Sequence, residues 1–356
     1  MQAFSAADLI SPAIKRTKWF LFEPFRWSTF LKLCLVSVLT EGTSSGNFNI
    51  PGSHHSNSSP SPAQTAPSMT PQHFSVSPME MALIAAIIVI AIGLVLVIAY
   101  LVTRLRFSLF HCLVSGTREI RPGWLIYDAQ SWRFFLVSMA VGFIFFFSVL
   151  LIAIPFILGF YRLYRSSHAG AHLNFAEIFS LILPLIPIVI IVVLVAIAIH
   201  IILHDLMLPH MALENASADE AWRQAKARIA AEKGSFLLYA FLRVILPIAA
   251  TIGAMIVLAI PAILCVLALG VPVAWMSTLV AGATGLSKLL FILLISVIVL
   301  IGAALVIFVG LCIGGPIGIA VRNYALLFYG GRYKVLGDLL SPPQPPPLIE
   351  SPSGAI

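Results

Sequence analysis

Charge is what this sequence has least of. Only 10% of its 356 residues are Asp, Glu, Lys or Arg, against about 25% in a soluble domain. A water-soluble fold is thereby excluded for most of the chain, because its exterior would need polar groups that are not there. Apolar residues make up 60% and the mean hydropathy is +1.02. Lipid as solvent removes the demand for a polar exterior, so the composition predicts an all-α membrane protein. Cysteine is scarce too. Cys34, Cys112, Cys265 and Cys312 are scattered and form no C-x-x-C pair, which argues against a disulfide framework or zinc site and for inert packed thiols. No G-x-G-x-x-G, Walker, H-E-x-x-H or G-x-S-x-G motif stands in a fitting context, so no cofactor and no metal are expected. The net charge of +7 does not point to nucleic acid. Its basic residues lie mostly in short loops between apolar runs, where membrane orientation and lipid headgroups account for them.

Five uncharged runs are long enough to cross about 30 Å of hydrocarbon: Met81–Thr103, Phe134–Tyr161, Ile178–Ile199, Val244–Leu269 and Leu289–Cys312. A sixth, Trp27–Thr40, is short and contains Lys32; by itself it reads equally well as re-entrant. Loop charge supplies an orientation. Arg104, Arg106, Arg118, Arg121 and Arg133 follow the first long run, Arg223, Lys226, Arg228 and Lys233 the third, and Arg322, Arg332 and Lys334 the last. The intervening loops are poorer in Lys and Arg, so the rich loops are expected in the cytoplasm. Residues 41–80 contain no Lys or Arg and are expected outside, whereas Lys15, Arg16, Lys18 and Arg26 hold the N-terminal segment inside. A crossing by Trp27–Thr40 reconciles the two, with Lys32 snorkelling to the inner headgroups. The expectation is about six transmembrane helices, multi-pass in a bacterial cytoplasmic (inner) membrane, with both termini cytoplasmic. The N-terminus does not resemble a cleavable signal, since Glu23, Pro24 and Arg26 interrupt the apolar stretch.

The expected organisation has four parts. Residues 1–40 form an interfacial helix and a short span. Residues 41–80 are a Ser/Pro-rich extracytoplasmic tether, too polar to offset its ordering entropy. Residues 81–330 make the helical membrane domain, and 331–356 a Pro-rich cytoplasmic tail. Basic amphipathic helices are expected on the cytoplasmic side. Ala216–Lys233 opens on a Ser217/Glu220 capping box, is expected to stop at Gly234, and carries an apolar stripe of Ala218, Ala221, Trp222, Ala225 and Ile229. Trp222 is expected at headgroup depth, with Arg223, Lys226 and Arg228 toward phosphates. Arg118–Arg133 offers Ile120, Trp124 and Tyr127 ringed by Arg118, Arg121 and Arg133, and Ser5–Trp19 has a similar plan. Trp124, Arg121, Trp222, Arg223, Lys226 and Arg228 are therefore the candidate lipid-headgroup contacts. The three units roughly 1–103, 104–203 and 204–330 also share this plan, with weak identity between them.

The stretch His204-Asp205-Leu206-Met207-Leu208-Pro209-His210-Met211, followed by Asp219-Glu220-Ala221-Trp222, resembles the D-x-x-x-P-x-M…E-A-W segment of uncharacterised bacterial six-helix membrane proteins. These are similar in plan to the membrane domain preceding some glycerophosphodiester phosphodiesterases. The opening Pro12-Ala13-Ile14-x-Arg16-Thr17, with Leu21-Phe22-x-Pro24-Phe25, also looks like the start of one such family. The resemblance implies a helical bundle and no activity, and nothing catalytic carries over from it.

His200, His204 and Asp205 are the candidate polar site. The two histidines are four apart and share a helix face; with a carboxylate they suggest a metal or proton site. Against that, Asp205 lies about 100° round the helix from His204, and no E-x-x-H partner appears elsewhere. Asp205 is expected to bind Arg243 or to hold the bend at Pro209. The sequence favours a non-enzymatic membrane module: a scaffold, a partner-binding subunit or a lipid-organising protein. Its expected partners are membrane lipids and an unidentified membrane protein. A transporter or channel for a lipid or small apolar solute is the alternative, and an interfacial membrane enzyme ranks third.

Overall fold

The computed structural model describes residues 5–42, 78–168, 175–282 and 285–340. Among these residues it is helical, with no strand. Five helices are long and apolar enough to cross a membrane. They are α3 (Pro78–Ser115), α5 (Asp128–His168), α6 (Phe175–Ile201), α9 (Lys233–Gly282) and α10 (Leu286–Gly330). Around their ends are α1 (Ile10–Phe22), α2 (Trp27–Ser37), α4 (Ile120–Ile126), α7 (Leu208–Leu213), α8 (Ala218–Ala231) and α11 (Lys334–Leu340). A π-helical turn, Val38–Gly42, continues α2, and another, Ile202–Met207, joins α6 to α7.

The buried core sits at one end of the long helices. It gathers α1, α2, the last turns of α3, the first of α5, the π turn with α7 and α8, the first turns of α9, the last of α10, and α11. The rest of each long helix is apolar and uncovered, as lipid-facing surface must be. We call the packed end the hub. Its composition differs from that of the spans. Tyr239 stacks on Phe328 at 4.2 Å and on Tyr324 at 5.5 Å, and Phe236 meets Phe328 edge-on at 5.3 Å. Each such pair adds about 0.5–1.5 kcal/mol beyond area burial, so α9 is clamped against α10 where both leave the apolar zone. Arg16 ties three elements together, donating to Leu113 O at 2.6 Å and Leu340 O at 3.3 Å. Burial of its guanidinium lowers the Arg16 pKa from the ordinary value. Asn323 Nδ2 donates to Thr17 Oγ1 at 2.9 Å.

Close helix approach depends on small residues. A Cβ on Gly315 would overlap the side chain of Cys34 and lie 2.6 Å from its Cα, so α2 and α10 touch backbone to backbone there. A Cβ on Gly123 would lie 2.8 Å from Ser108 Cα, which seats α4 against α3.

The amphipathic expectations meet a different arrangement. In α8 the Ser217 hydroxyl accepts from Glu220 N at 3.3 Å, the start the capping box predicts. The alanine stripe, however, packs on protein. Ala221 and Ala225 are fully buried in the hub, because side chains this small let one helix lie close on another. Gly234 does not end the helix; the break falls at Glu232 (φ −135°, ψ 54°) and Gly234 lies within α9. The expected helix over 118–133 is interrupted at Tyr127. The expected Ser5–Trp19 helix runs instead over Ile10–Phe22. Packing continues past residue 330 as well, since Tyr333 and Leu336 are buried. Most of the expected tether, together with residues 341–356 of the tail, lies outside the described residues.

A buried ionic cluster as the candidate functional site

Asp205 stands on the π turn after α6 and is 3% exposed. Its Oδ2 accepts from the Tyr239 hydroxyl at 2.7 Å and from Arg243 Nε at 3.0 Å; its Oδ1 accepts from Arg322 Nη1 at 2.9 Å. Arg322 Nη1 also donates to His204 O at 2.8 Å. Arg243 reaches a second carboxylate, donating from Nη2 to Glu41 Oε2 at 2.9 Å. Glu41 belongs to the other π-helical turn. Both carboxylates held by Arg243 are thus presented by π turns, a local geometry frequent at functional sites. Arg106 completes the group. It donates to Thr40 O and lies 2.7 Å from His204 Nδ1. His200 meets His204 at a tilt of 55° with ring centroids 4.5 Å apart, and Phe134 covers His204 at 5.4 Å.

The cluster therefore joins α2, α3, α6, α9 and α10. It holds three guanidinium groups and two carboxylates, an excess of one positive charge. Arg322 Nη2 is buried without a hydrogen-bond partner among the described residues. Removing such charges from water costs several kcal/mol each, and only close pairing with further hydrogen bonds offsets it. The three donors on Asp205 meet that requirement. Chemically, Asp205 is engaged rather than poised, since each of its oxygens already accepts from a guanidinium and one from a phenol as well. Among the described residues no three His, Cys, Asp or Glu side chains gather into a metal-binding group.

The structure brings His200, His204 and Asp205 together as neighbours but turns them to different partners. The pair Asp205–Arg243, expected from sequence, is formed. Glu41, Arg106 and Arg322 were not singled out by sequence reasoning. Arg106 and Arg322 read there as loop charges and Glu41 as the start of a solvated tether. Glu41 is instead buried and ion-paired. One signal was available: a lone carboxylate ending an apolar segment, with no cation near it in sequence, needs a partner from elsewhere.

The candidate headgroup contacts divide. Trp222 is 43% exposed, and Arg223 and Lys226 are exposed, with Arg223 paired to Asp219 at 3.0 Å. Arg121 is exposed. Trp124 is half-buried beneath the Arg104 guanidinium, 4.5 Å from its ring. Arg228 is turned toward the protein. It donates to the Tyr329 hydroxyl at 2.9 Å, lies 2.8 Å from His210 Nε2, and stacks over Tyr333 at 4.5 Å. The pull of three aromatic or imidazole partners turns it inward, so α8 is latched to the hub. Glu214 sits beside this latch. Burial works to raise its carboxyl pKa, but polar contacts with Tyr333, His210 and Gln224 outweigh that and hold it below the ordinary value.

Residues 4–339 match a family of unknown function, DUF7544. The chain belongs to that family, and no link to the membrane domains of glycerophosphodiester phosphodiesterases comes with the match. No curated protein and no solved structure matches the chain.

Proposed function

We propose that this member of the family is a non-enzymatic integral membrane module, a scaffold that organises lipid or a partner protein around its long apolar helices. One observation carries the reading: the acids and bases that would serve chemistry are consumed in pairing with one another. Asp205 alone ties together α6, α9 and α10. A hub fastened this way holds helices in register and leaves their apolar faces to lipid or to another membrane protein.

The reading includes a location and a topology. The hub lies on the cytoplasmic side of a bacterial inner membrane, where the loops rich in Lys and Arg belong. Both termini are read as cytoplasmic with it, a reading supported by the meeting of α1 and α11 at Arg16. Five crossings with both ends on one side require a sixth passage, between α1 and α3. Residues 27–42, the π turn included, reach about 24 Å, short of a full hydrocarbon span, and Arg243 ties their Glu41 end to the hub, so they do not complete that passage by themselves. Trp222, Arg223, Lys226 and Arg121 form the basic, aromatic rim toward the headgroups.

The test uses full-length protein in lipid nanodiscs. The expected result is an unchanged lipid mass spectrum after long incubation, with lipid or a protein partner co-purifying. Turnover of a lipid that is abolished by Asp205→Asn, or about one zinc or iron per chain lost on His200→Ala/His204→Ala, would move the enzyme reading to first place.

A further inference from the structure

We infer that a groove between α2 and α10 is a binding site for an anionic phospholipid, with one acyl chain along the groove and the phosphate on Lys32. The groove has a volume of about 430 Å³ and is open along one side. Leu31 and Leu35 of α2 and Ala304, Phe308 and Leu311 of α10 form its walls, and Lys32 is the one charged residue lining it. No carboxylate lines it.

Lys32 is exposed and makes no ion pair among the described residues. Glu41 on the same helical segment is committed to Arg243. Lys32 thus presents an ammonium beside exposed Leu35 and Phe308, on a surface that on the membrane reading above faces lipid. A cation so placed needs an anion or a route to the headgroups. Basic pockets between membrane helices are suited to anionic headgroups. The walls span two turns of α10 and just over one of α2, room for an acyl chain but not for a further helix, whose axis must stand about 8–10 Å from each neighbour. Phe22, Phe25, Trp27 and Phe30 form a continuous aromatic cluster at the same end of α2, with centroids 5.0–6.2 Å apart. Aromatic belts of this kind sit at headgroup level. They bring the lipid phosphate within reach of Lys32.

The experiment is native mass spectrometry of the full-length protein in detergent. It is titrated with dioleoyl phosphatidylglycerol, dioleoyl phosphatidylcholine or glycerol 3-phosphate. Phosphatidylglycerol should be retained about fivefold over phosphatidylcholine, the factor one cation beside an anionic headgroup provides. Lys32→Gln should bring the two lipids level, and Lys32→Arg should restore the preference. Ala304→Trp, at an exposed groove position, should reduce retention of both lipids, and glycerol 3-phosphate should displace neither. An unchanged preference in Lys32→Gln, or unchanged retention in Ala304→Trp, would overturn the site. Displacement by glycerol 3-phosphate would mean a phosphate site rather than a lipid groove. A dimer that vanishes in Ala304→Trp would give the groove to a second copy of the chain. None of these outcomes bears on lipid turnover, so this site and the non-enzymatic reading fail separately.

Discussion

Replacing Asp205 by alanine removes the acceptor of three hydrogen bonds and leaves two guanidinium groups facing a gap. Arg243 keeps Glu41, but Arg322, 1% exposed, loses its ion pair with Asp205 and retains His204 O. Breaking a buried ion pair from one side costs about 3–5 kcal/mol, because the remaining charge stays buried. At about 1.4 kcal/mol per decade, the folding equilibrium falls between about a hundredfold and a few thousandfold. Arg322→Met should cost less, about 1–3 kcal/mol. It removes the surplus charge and leaves Asp205 held by Arg243 and Tyr239. The double variant Asp205→Ala/Arg322→Met should therefore be more stable than Asp205→Ala alone, a coupling that a double-mutant cycle isolates. The assay is reversible unfolding in mixed micelles, followed by the fluorescence of the tryptophans. Should Asp205→Ala cost less than about 1 kcal/mol, or should removing Arg322 as well make it worse, the ionic cluster is not what binds these helices.

Three further outcomes are expected. Gly315→Ala should push α2 off α10 and expose Cys34, which is fully buried in the native protein, to a maleimide; Gly314→Ala, facing only Val38 Cγ2 at 3.2 Å, should leave Cys34 protected. Glu214 has a carboxyl pKa depressed in the folded state, so its contribution to stability is complete above its ordinary value of 4.5 and fades as pH falls through the depressed one. Thermal melts of Glu214→Gln between pH 3 and pH 6 should accordingly show a shallower acid limb than the native protein, and an identical limb would remove that role. On the topology side, Ser68→Cys should react with an impermeant maleimide on intact spheroplasts; reaction only after the membrane is opened would make Trp27–Thr40 re-entrant.

Much of the secondary structure is local in origin. Uninterrupted apolar runs have nowhere to satisfy their backbone polar groups in lipid except within a helix, so the five long helices follow from composition. The Ser217 cap follows equally from the chain immediately around it. Which charges meet is decided over long range. Glu41 and Arg243 lie 202 positions apart, and Asp205 and Arg322 lie 117 apart, so no window of sequence links them. The direction of α8 was also undecidable locally. An alanine stripe suits a headgroup surface and a protein surface alike, and only the presence of His210, Tyr329 and Tyr333 drew Arg228 inward. The sequence by itself determined that this chain is helical and built for lipid, because the solvation of apolar runs is additive along the chain. The tertiary structure alone decided that Asp205, Glu41, Arg106, Arg243 and Arg322 gather in one buried cluster, because an ion pair depends on distance in space and not on separation in sequence.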